Sequence, residues 1–129
     1  MHIVLTVQFE VASDSVAEGT EAAIIVFLST SADREVSVDF TTESDTAITP
    51  DDYTSITRNI IISAGETSVT VLVDTIDDDI REVDEVFRAS LSNPTNGLSL
   101  GTPITTEITI VDNDRKYYVA IIIYHIVLL

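Results

Sequence analysis

Period-two alternation of apolar and polar residues recurs along this chain, and it restricts the fold more than any other feature. In "EVSVDFTT", Val36, Val38 and Phe40 point one way while Ser37, Asp39 and Thr41 point the other, as successive side chains on a strand do. "TSVTVLVDT" puts Val69, Val71 and Val73 on one face, and "VFRASLS" places Phe87, Ala89 and Leu91 inward with Arg88 and Ser90 outward. Strands are also predicted at "IVLTVQF" (Ile3–Phe9), "RNIII" and "ITTEITIV" (Ile104–Val111). The continuous apolar run "AAIIVFL" (Ala22–Leu28) predicts a strand buried on both faces.

Polar punctuation separates these runs. "ASDSVAEGTEA" reads as a polar kink after the first strand. "SAGET" (Ser63–Thr67) reads as the turn of a hairpin joining "RNIII" to "TSVTVLVDT", with Gly65 at the bend. "NPTNG" (Asn93–Gly97) is a turn of the Pro/Asn/Gly kind. With no convincing helical period, these seven strands predict an all-β fold, a seven-stranded antiparallel β-sandwich of immunoglobulin-like type.

A chain of 129 residues with 45% hydrophobic content suits one domain with a real core. Residues 1–115 are expected to form the sandwich. Residues 116–129 form an apolar tail: Tyr117–Leu129 falls short of the roughly 20 residues a spanning helix needs. The tail is readable as an extra edge strand, as the start of a truncated membrane segment, or as non-native sequence. The N-terminal "MHIVLTVQFE" lacks the basic region and small-residue site of a signal peptide. With no cysteine, disulfides, thiolate metal sites and cysteine nucleophiles are all excluded.

The net charge of −16 comes from 22 acids against 6 bases. Such a chain is repelled by phosphate backbones and anionic lipid, so nucleic acid is excluded as a partner and multivalent cations are favoured. The acids are not scattered. "DTIDDDIREVDEVF" holds Asp74, Asp77, Asp78, Asp79, Glu82, Asp84 and Glu85, with Arg81 the one cation among them. Asp112 and Asp114 follow the last strand, Asp51 and Asp52 end a long loop, and Glu18 precedes "AAIIVFL". If "TSVTVLV" and "ITTEITIV" run the same way, the Asp77–Glu85 connection and the Asp112–Asp114 end share a pole. Bringing Glu18 and Asp52 to that pole needs a topology that alternation alone does not fix.

Clustered carboxylates suit Ca²⁺, which takes 6–8 oxygen ligands in irregular geometry. The run lacks EF-hand spacing, and more carboxylates are present than one ion uses. The competing reading of such a run is solvated surface. No enzyme is expected. His2 and His125 lie alone in apolar stretches and read as packing residues, and Tyr53 reads as packed beneath its loop. A glycosidase-type carboxylate pair would lack Trp for a sugar cleft, and four glycines build no phosphate loop.

The ordered segments "VDFTTESDTAITPDDY", "ISAGETSVTVLVDTIDDDIREVDEVFRASLSNPTNGLSLG" and "ITIVDND" resemble the Calx-beta domain from Val7 to Asp114. That family combines a V-D-[YF]-x-T segment, an A-x-x-x-D-Y loop, a G-E-T turn, an acidic run, an L-S-N-P turn and a terminal D-N-D. The resemblance implies a seven-stranded β-sandwich related to the regulatory calcium-binding domain of sodium/calcium exchangers, with ions at one pole. It implies Glu18, Asp52, Asp77, Asp78, Glu82, Glu85, Asp112 and Asp114 as metal ligands. Asn113 stands where the exchanger-like pattern has a third acid, which removes one carboxylate. "ESD" (Glu43–Asp45) lacks the Gly of an E-D-G-type turn, which predicts a reshaped loop.

The function implied is a Ca²⁺-binding module of a larger extracellular or cell-surface adhesion protein. Its partners would be calcium ions and neighbouring repeats or other adhesion proteins, with membrane association only through the parent. The alternatives are a cytosolic regulatory calcium sensor of an exchanger-like transporter and a metal-free structural repeat.

Overall fold

The computed structural model describes residues 4–114. The expectations for residues 116–129, and those for His2 and His125, fall outside them. Nine strands form in chain order: β1 (Thr6–Phe9), β2 (Ser13–Ala17), β3 (Glu21–Leu28), β4 (Val36–Ser44), β5 (Thr57–Ile62), β6 (Ser68–Asp74), β7 (Glu85–Ser92), β8 (Ser99–Leu100) and β9 (Thr105–Val111). They make two sheets, ordered β6-β3-β1-β8 and β2-β9-β7-β4-β5.

All seven predicted strands are present, and every pairing among them is antiparallel. Two short strands were not predicted. β2 lies inside the segment read as a polar kink and pairs parallel to β9, while β8 pairs parallel to β1. Neither carries alternation: Ser13–Ala17 is exposed at every position but a half-buried Val16, and Ser99–Leu100 is exposed throughout. Backbone ladders at a sheet edge hold them, and such ladders leave no hydrophobic imprint.

The predicted β5–β6 hairpin does not exist. β5 pairs with β4, β6 pairs with β3, and "SAGET" carries the chain from one sheet to the other. The turn itself forms, with Gly65 at φ 86° and Glu66 N–H donating to Ser63 O at 3.0 Å. Gly65 N–H donates across to Ala32 O at 2.9 Å, so the bend is tied to the loop between β3 and β4. Alternation reports that each arm has one buried face. It does not report whether the two faces lie in one sheet or oppose each other.

β3 is likewise buried on one face only. Ala22, Ile24, Val26 and Leu28 are buried, Ala23 is exposed, and Ile25 and Phe27 are half-covered. Among the described residues no layer packs on the opposite face of its sheet, so the apolar run overstated the burial seen there.

The core fills the gap between the sheets with Val7, Phe9, Val26, Val71 and Val73 from one and Val36, Val38, Phe40, Phe87 and Ile108 from the other. The Phe9 and Phe40 rings meet edge to face across it, 6.1 Å apart at 82°, a favoured aromatic arrangement. Tyr53 is fully buried and stacks on Phe87 with centroids 4.3 Å apart. Its hydroxyl is 2.9 Å from Ser44 Oγ, and its backbone bridges to Thr75. The loop between β4 and β5 is thereby pinned to the body. The missing glycine in "ESD" has little consequence: β4 continues through Ser44, and the non-Gly residues with positive φ among those described are Asn93 and Asn96.

Tyr53→Ala is expected to cost about 3–5 kcal/mol in urea unfolding, as removal of a fully buried ring does. Tyr53→Phe keeps the stack and loses one hydrogen bond, costing about 1 kcal/mol. Equal losses in the two variants would show that the ring contributes nothing beyond its hydroxyl.

Candidate metal centre

Four stretches of chain meet at one pole, and backbone contacts align each. The turn after β2 is sewn to the end of β9 by Glu18 N–H donating to Val111 O at 2.9 Å. Gly19 has φ +84°, and a Cβ there would stand 2.8 Å from Asp77 Cβ. Only glycine lets this turn approach the acidic connection so closely. Thr75 fixes the approach, its Oγ1 accepting from Gly19 N–H at 2.9 Å and donating to Thr20 O at 2.6 Å.

Asp52 knots its own loop. Its Oδ2 accepts from Ile48 N–H at 2.9 Å, and its carbonyl accepts from Ile76 N–H at 2.9 Å. Asp78 Oδ1 takes Ile80 N–H at 3.0 Å. Asp112 uses both oxygens, Oδ2 on Glu82 N–H at 3.1 Å and Oδ1 on Asp114 N–H at 3.3 Å, while its own N–H donates to Asp84 Oδ1 at 3.1 Å. Asn113 Nδ2 donates to Asp77 Oδ1 at 3.1 Å and to Glu18 O at 3.3 Å.

All eight predicted acids gather at this pole, including Glu18 and Asp52, which alternation had left unplaced. Seven fall into three groups whose oxygens lie within 4.8 Å of one another: Glu18, Asp112 and Asp114; Glu18, Asp78 and Glu82; Asp52, Glu82 and Glu85. Glu18 and Glu82 each belong to two groups, so the three form a connected row. Asp77 is in none of them. A small cavity of about 10 Å³ opens among Glu18, Asp52, Glu82, Glu85 and Asp112, roughly room for one water-sized sphere.

Crowding and burial raise the proton affinity here. The Glu18 carboxyl is pushed up to about 7, mainly by its burial and then by the Asp78 charge. Glu82 also rises to about 7, through partial burial and then its contact with Asp78. Glu85 is raised by loss of water and by Asp52, and Asp114 by loss of water and by Asp112. Glu18 Oε2 and Asp114 Oδ2 are buried without a hydrogen-bond donor. A buried carboxylate oxygen without a partner is costly. A hard divalent cation would satisfy such oxygens, and a donor set of carboxylates alone suits Ca²⁺ better than Zn²⁺.

Several residues that shape the pole were not singled out from the sequence. Thr75 carried no local signal, and neither did Thr46, whose Oγ1 accepts from Val86 N–H at 2.7 Å where β7 begins. Asp84 was visible as charge, but its role as acceptor for the Asp112 backbone depends on a contact 28 residues away.

The sequence matches the family model described as "Calx-beta domain" over residues 2–114. Sodium/calcium exchanger 1 of Rattus norvegicus is 37% identical over 114 residues, covering 75% of this chain and 12% of the exchanger. Adhesion G-protein coupled receptor V1 of Danio rerio is 38% identical over 68 residues, 51% of this chain and 1% of the receptor. This chain thus spans a small part of the relatives it matches. Among solved structures, the apo form of the Calx CBD1 domain superposes with a TM-score of 0.82 at 26% identity, covering 87% of this chain and all of that one. The calcium binding domain CBD12 of CALX1.1 superposes with a TM-score of 0.79 at 28% identity, over 84% of this chain and 46% of that one. With two sheets in the same arrangement and the family pattern matched across the described residues, this chain belongs to the Calx-beta domain family.

Proposed function

We propose that this domain is a calcium-binding module, not an enzyme, and that it serves as one unit of a larger cell-surface adhesion protein. Its ions would be held by Glu18, Asp52, Asp78, Glu82, Glu85, Asp112 and Asp114, with Asp77 at the margin. The observation that carries this reading is the row of three carboxylate groups joined through Glu18 and Glu82, two of whose oxygens are buried with no donor. Bound Ca²⁺ would supply positive charge to oxygens that repel one another, stiffening four loops at once. In an array of such domains, a stiff pole fixes the angle to the next one. Two features of the comparisons support the reading: the solved relative CBD12 of CALX1.1 is a calcium binding domain, and a relative 38% identical over 68 residues is an adhesion receptor.

A second reading is a regulatory calcium sensor in a cytosolic loop of an exchanger-like transporter. The longer alignment to sodium/calcium exchanger 1 favours it. Affinity separates the two. Sensors bind at roughly 10⁻⁷–10⁻⁵ M and extracellular modules at roughly 10⁻⁴–10⁻³ M.

Adding Ca²⁺ to chelated protein is expected to raise the melting temperature, by an amount equivalent to about 2.7 kcal/mol at a hundredfold excess over Kd. An unchanged melt in calorimetry, with and without chelator, would rule calcium out. Asp78→Asn combined with Glu85→Gln is expected to weaken Ca²⁺ binding at least about tenfold, a loss of only some 1.4 kcal/mol. A metal-free structural role predicts instead that the double variant melts at the same temperature or higher.

The pH dependence follows from Glu18 and Glu82. Between the ordinary value of 4.5 and the folded value of about 7, the ion-free fold binds more protons than the unfolded chain. Its stability is therefore greatest below 4.5 as far as these groups are concerned, and is lost as pH rises through 7. Chelated protein should melt several degrees higher at pH 5 than at pH 8, about 4 °C for each kcal/mol in a domain between the small and mid-sized classes. Saturating Ca²⁺ should reverse the order, because the ions displace these protons. Melts at the two pH values, with and without calcium, provide the check.

A further inference from the structure

We propose that the seam where β1 leaves β3 is a docking site for an extended basic peptide of a partner protein, taken up as an added strand on β3. β1 pairs with β3 as far as Phe9↔Val26, and Glu10 N–H then donates to Ile25 O at 3.0 Å. From there the chain crosses to the other sheet, where β2 pairs with β9. Leu28 N–H donates to Thr67 O on the β6 side. By strand alternation Ala22, Ile24 and Val26 also turn their backbone groups toward β6, while Glu21, Ala23 and Ile25 turn theirs to the side that β1 has left. Among the described residues no strand lies beside Glu21 and Ala23 on that side. A short open edge of this kind is what an added strand pairs with.

The same seam holds a cavity of about 80 Å³. Phe9, Ile24, Ile108 and Thr106 form its buried walls, and Thr106 Oγ1 is buried without a hydrogen-bond partner. A water would find one side-chain partner among these walls, fewer than the two to four it normally takes. One water occupies roughly 30 Å³, so the space suits a side chain of three heavy atoms. Threonine meets both demands: its methyl lies on the apolar walls and its hydroxyl pairs with Thr106 Oγ1, either oxygen donating. The outer side of the edge is acidic. Glu21 and Ala23 alternate with buried Ala22 and Ile24, and Glu10 follows buried Phe9, so both glutamates face outward around Ala23. Both are exposed, and neither belongs to an ion pair among the described residues. A strand with threonine pointing in and lysine pointing out on either side of it answers the open edge, the lone hydroxyl and the charge together.

The test is residue-resolved NMR of the 129-residue chain at physiological salt, titrated with acetyl-Lys-Val-Lys-Thr-Lys-Val-Lys-amide, with amide hydrogen exchange followed alongside. Binding should shift the amides of Glu10, Glu21 and Ala23 and slow exchange at Ala23 at least about tenfold. Valine in place of the central threonine should weaken binding about fivefold, the worth of one hydrogen bond. Thr106→Val should melt higher than the parent, having lost an unsatisfied hydroxyl, and should bind the two peptides alike. Ala23→Pro removes a backbone N–H that faces the open edge, a placement proline tolerates, and should abolish binding. Should that variant fail to fold, Glu10→Gln with Glu21→Gln decides, with an expected weakening of about fivefold. The proposal is overturned if millimolar peptide leaves these amides unmoved, or if acetyl-Lys-Pro-Lys-Pro-Lys-Pro-Lys-amide, of equal charge, moves them as much. It is overturned as well if folded Ala23→Pro or the double glutamine variant binds as the parent does. Equal binding of the threonine and valine peptides by the parent would leave only water on Thr106 and end the assignment. Shifts at Ala23 that grow with protein concentration in the absence of peptide would give the edge to a second copy of this chain instead.

Discussion

Seven carboxylates from four separate stretches of chain lie in oxygen groups no wider than 4.8 Å, and the rest of the pole is arranged around their repulsion. Two unit charges about 4 Å apart repel by roughly 4 kcal/mol near a protein surface. The two acid types divide the work. Asp52, Asp78, Asp84 and Asp112 each spend at least one oxygen on a backbone N–H. That local or cross-loop bonding is what a short acidic side chain does well. The glutamates reach further. Glu18, Glu82 and Glu85 are the longer side chains whose proton affinity is raised, and Glu18 and Glu82 join neighbouring groups. Asp52, Asp78, Asp84 and Asp112 shape the loops, while Glu18, Glu82 and Glu85, joined by Asp114, concentrate charge between them.

The shape of the pole is therefore set by groups that do not need an ion. Glu18 N–H on Val111 O, Ile76 N–H on Asp52 O and the Thr75 hydroxyl join strand ends in pairs. Tyr53, stacked on Phe87, anchors the Asp52 loop to the core one residue away from the site. The ion pairs of Arg34 and Arg88 involve none of the grouped carboxylates. Arg34 reaches Asp33 and the Asn96 carbonyl, and Arg88 bridges Asp45 and Glu107 on the outer face of its sheet. Pairs this exposed are worth about 0.2–1 kcal/mol each. They join surface segments.

The strands were legible because each buries one face, and alternation is the direct record of that. Val36, Val38 and Phe40, or Phe87, Ala89 and Leu91, could point inward only one way. Everything that depends on which strand lies beside which escaped the same pattern. β5 and β6 looked like a hairpin because two half-buried strands joined by a glycine turn read identically whether they pair or face each other. β2 left no trace because parallel pairing at an exposed edge uses backbone groups alone. At the pole, charge was legible and architecture was not. A run of acids announces itself, whereas Thr75, Thr46 and Asn113 matter through contacts 40 to 95 residues distant along the chain.

The linkage of the three groups has a consequence for any ion they hold. Glu18 serves the Asp112–Asp114 group and the Asp78–Glu82 group, and Glu82 serves that group and the Asp52–Glu85 group. Near neutral pH both glutamates are poised between protonated and charged. A first cation in the middle group would release a proton from each and leave it charged for the outer groups. A first binding event would therefore prepare ligands for the next, and positive coupling would need no movement of the sandwich. Opposing this is the repulsion between ions that share a ligand. Which effect dominates depends on how many carboxylates are available to each ion.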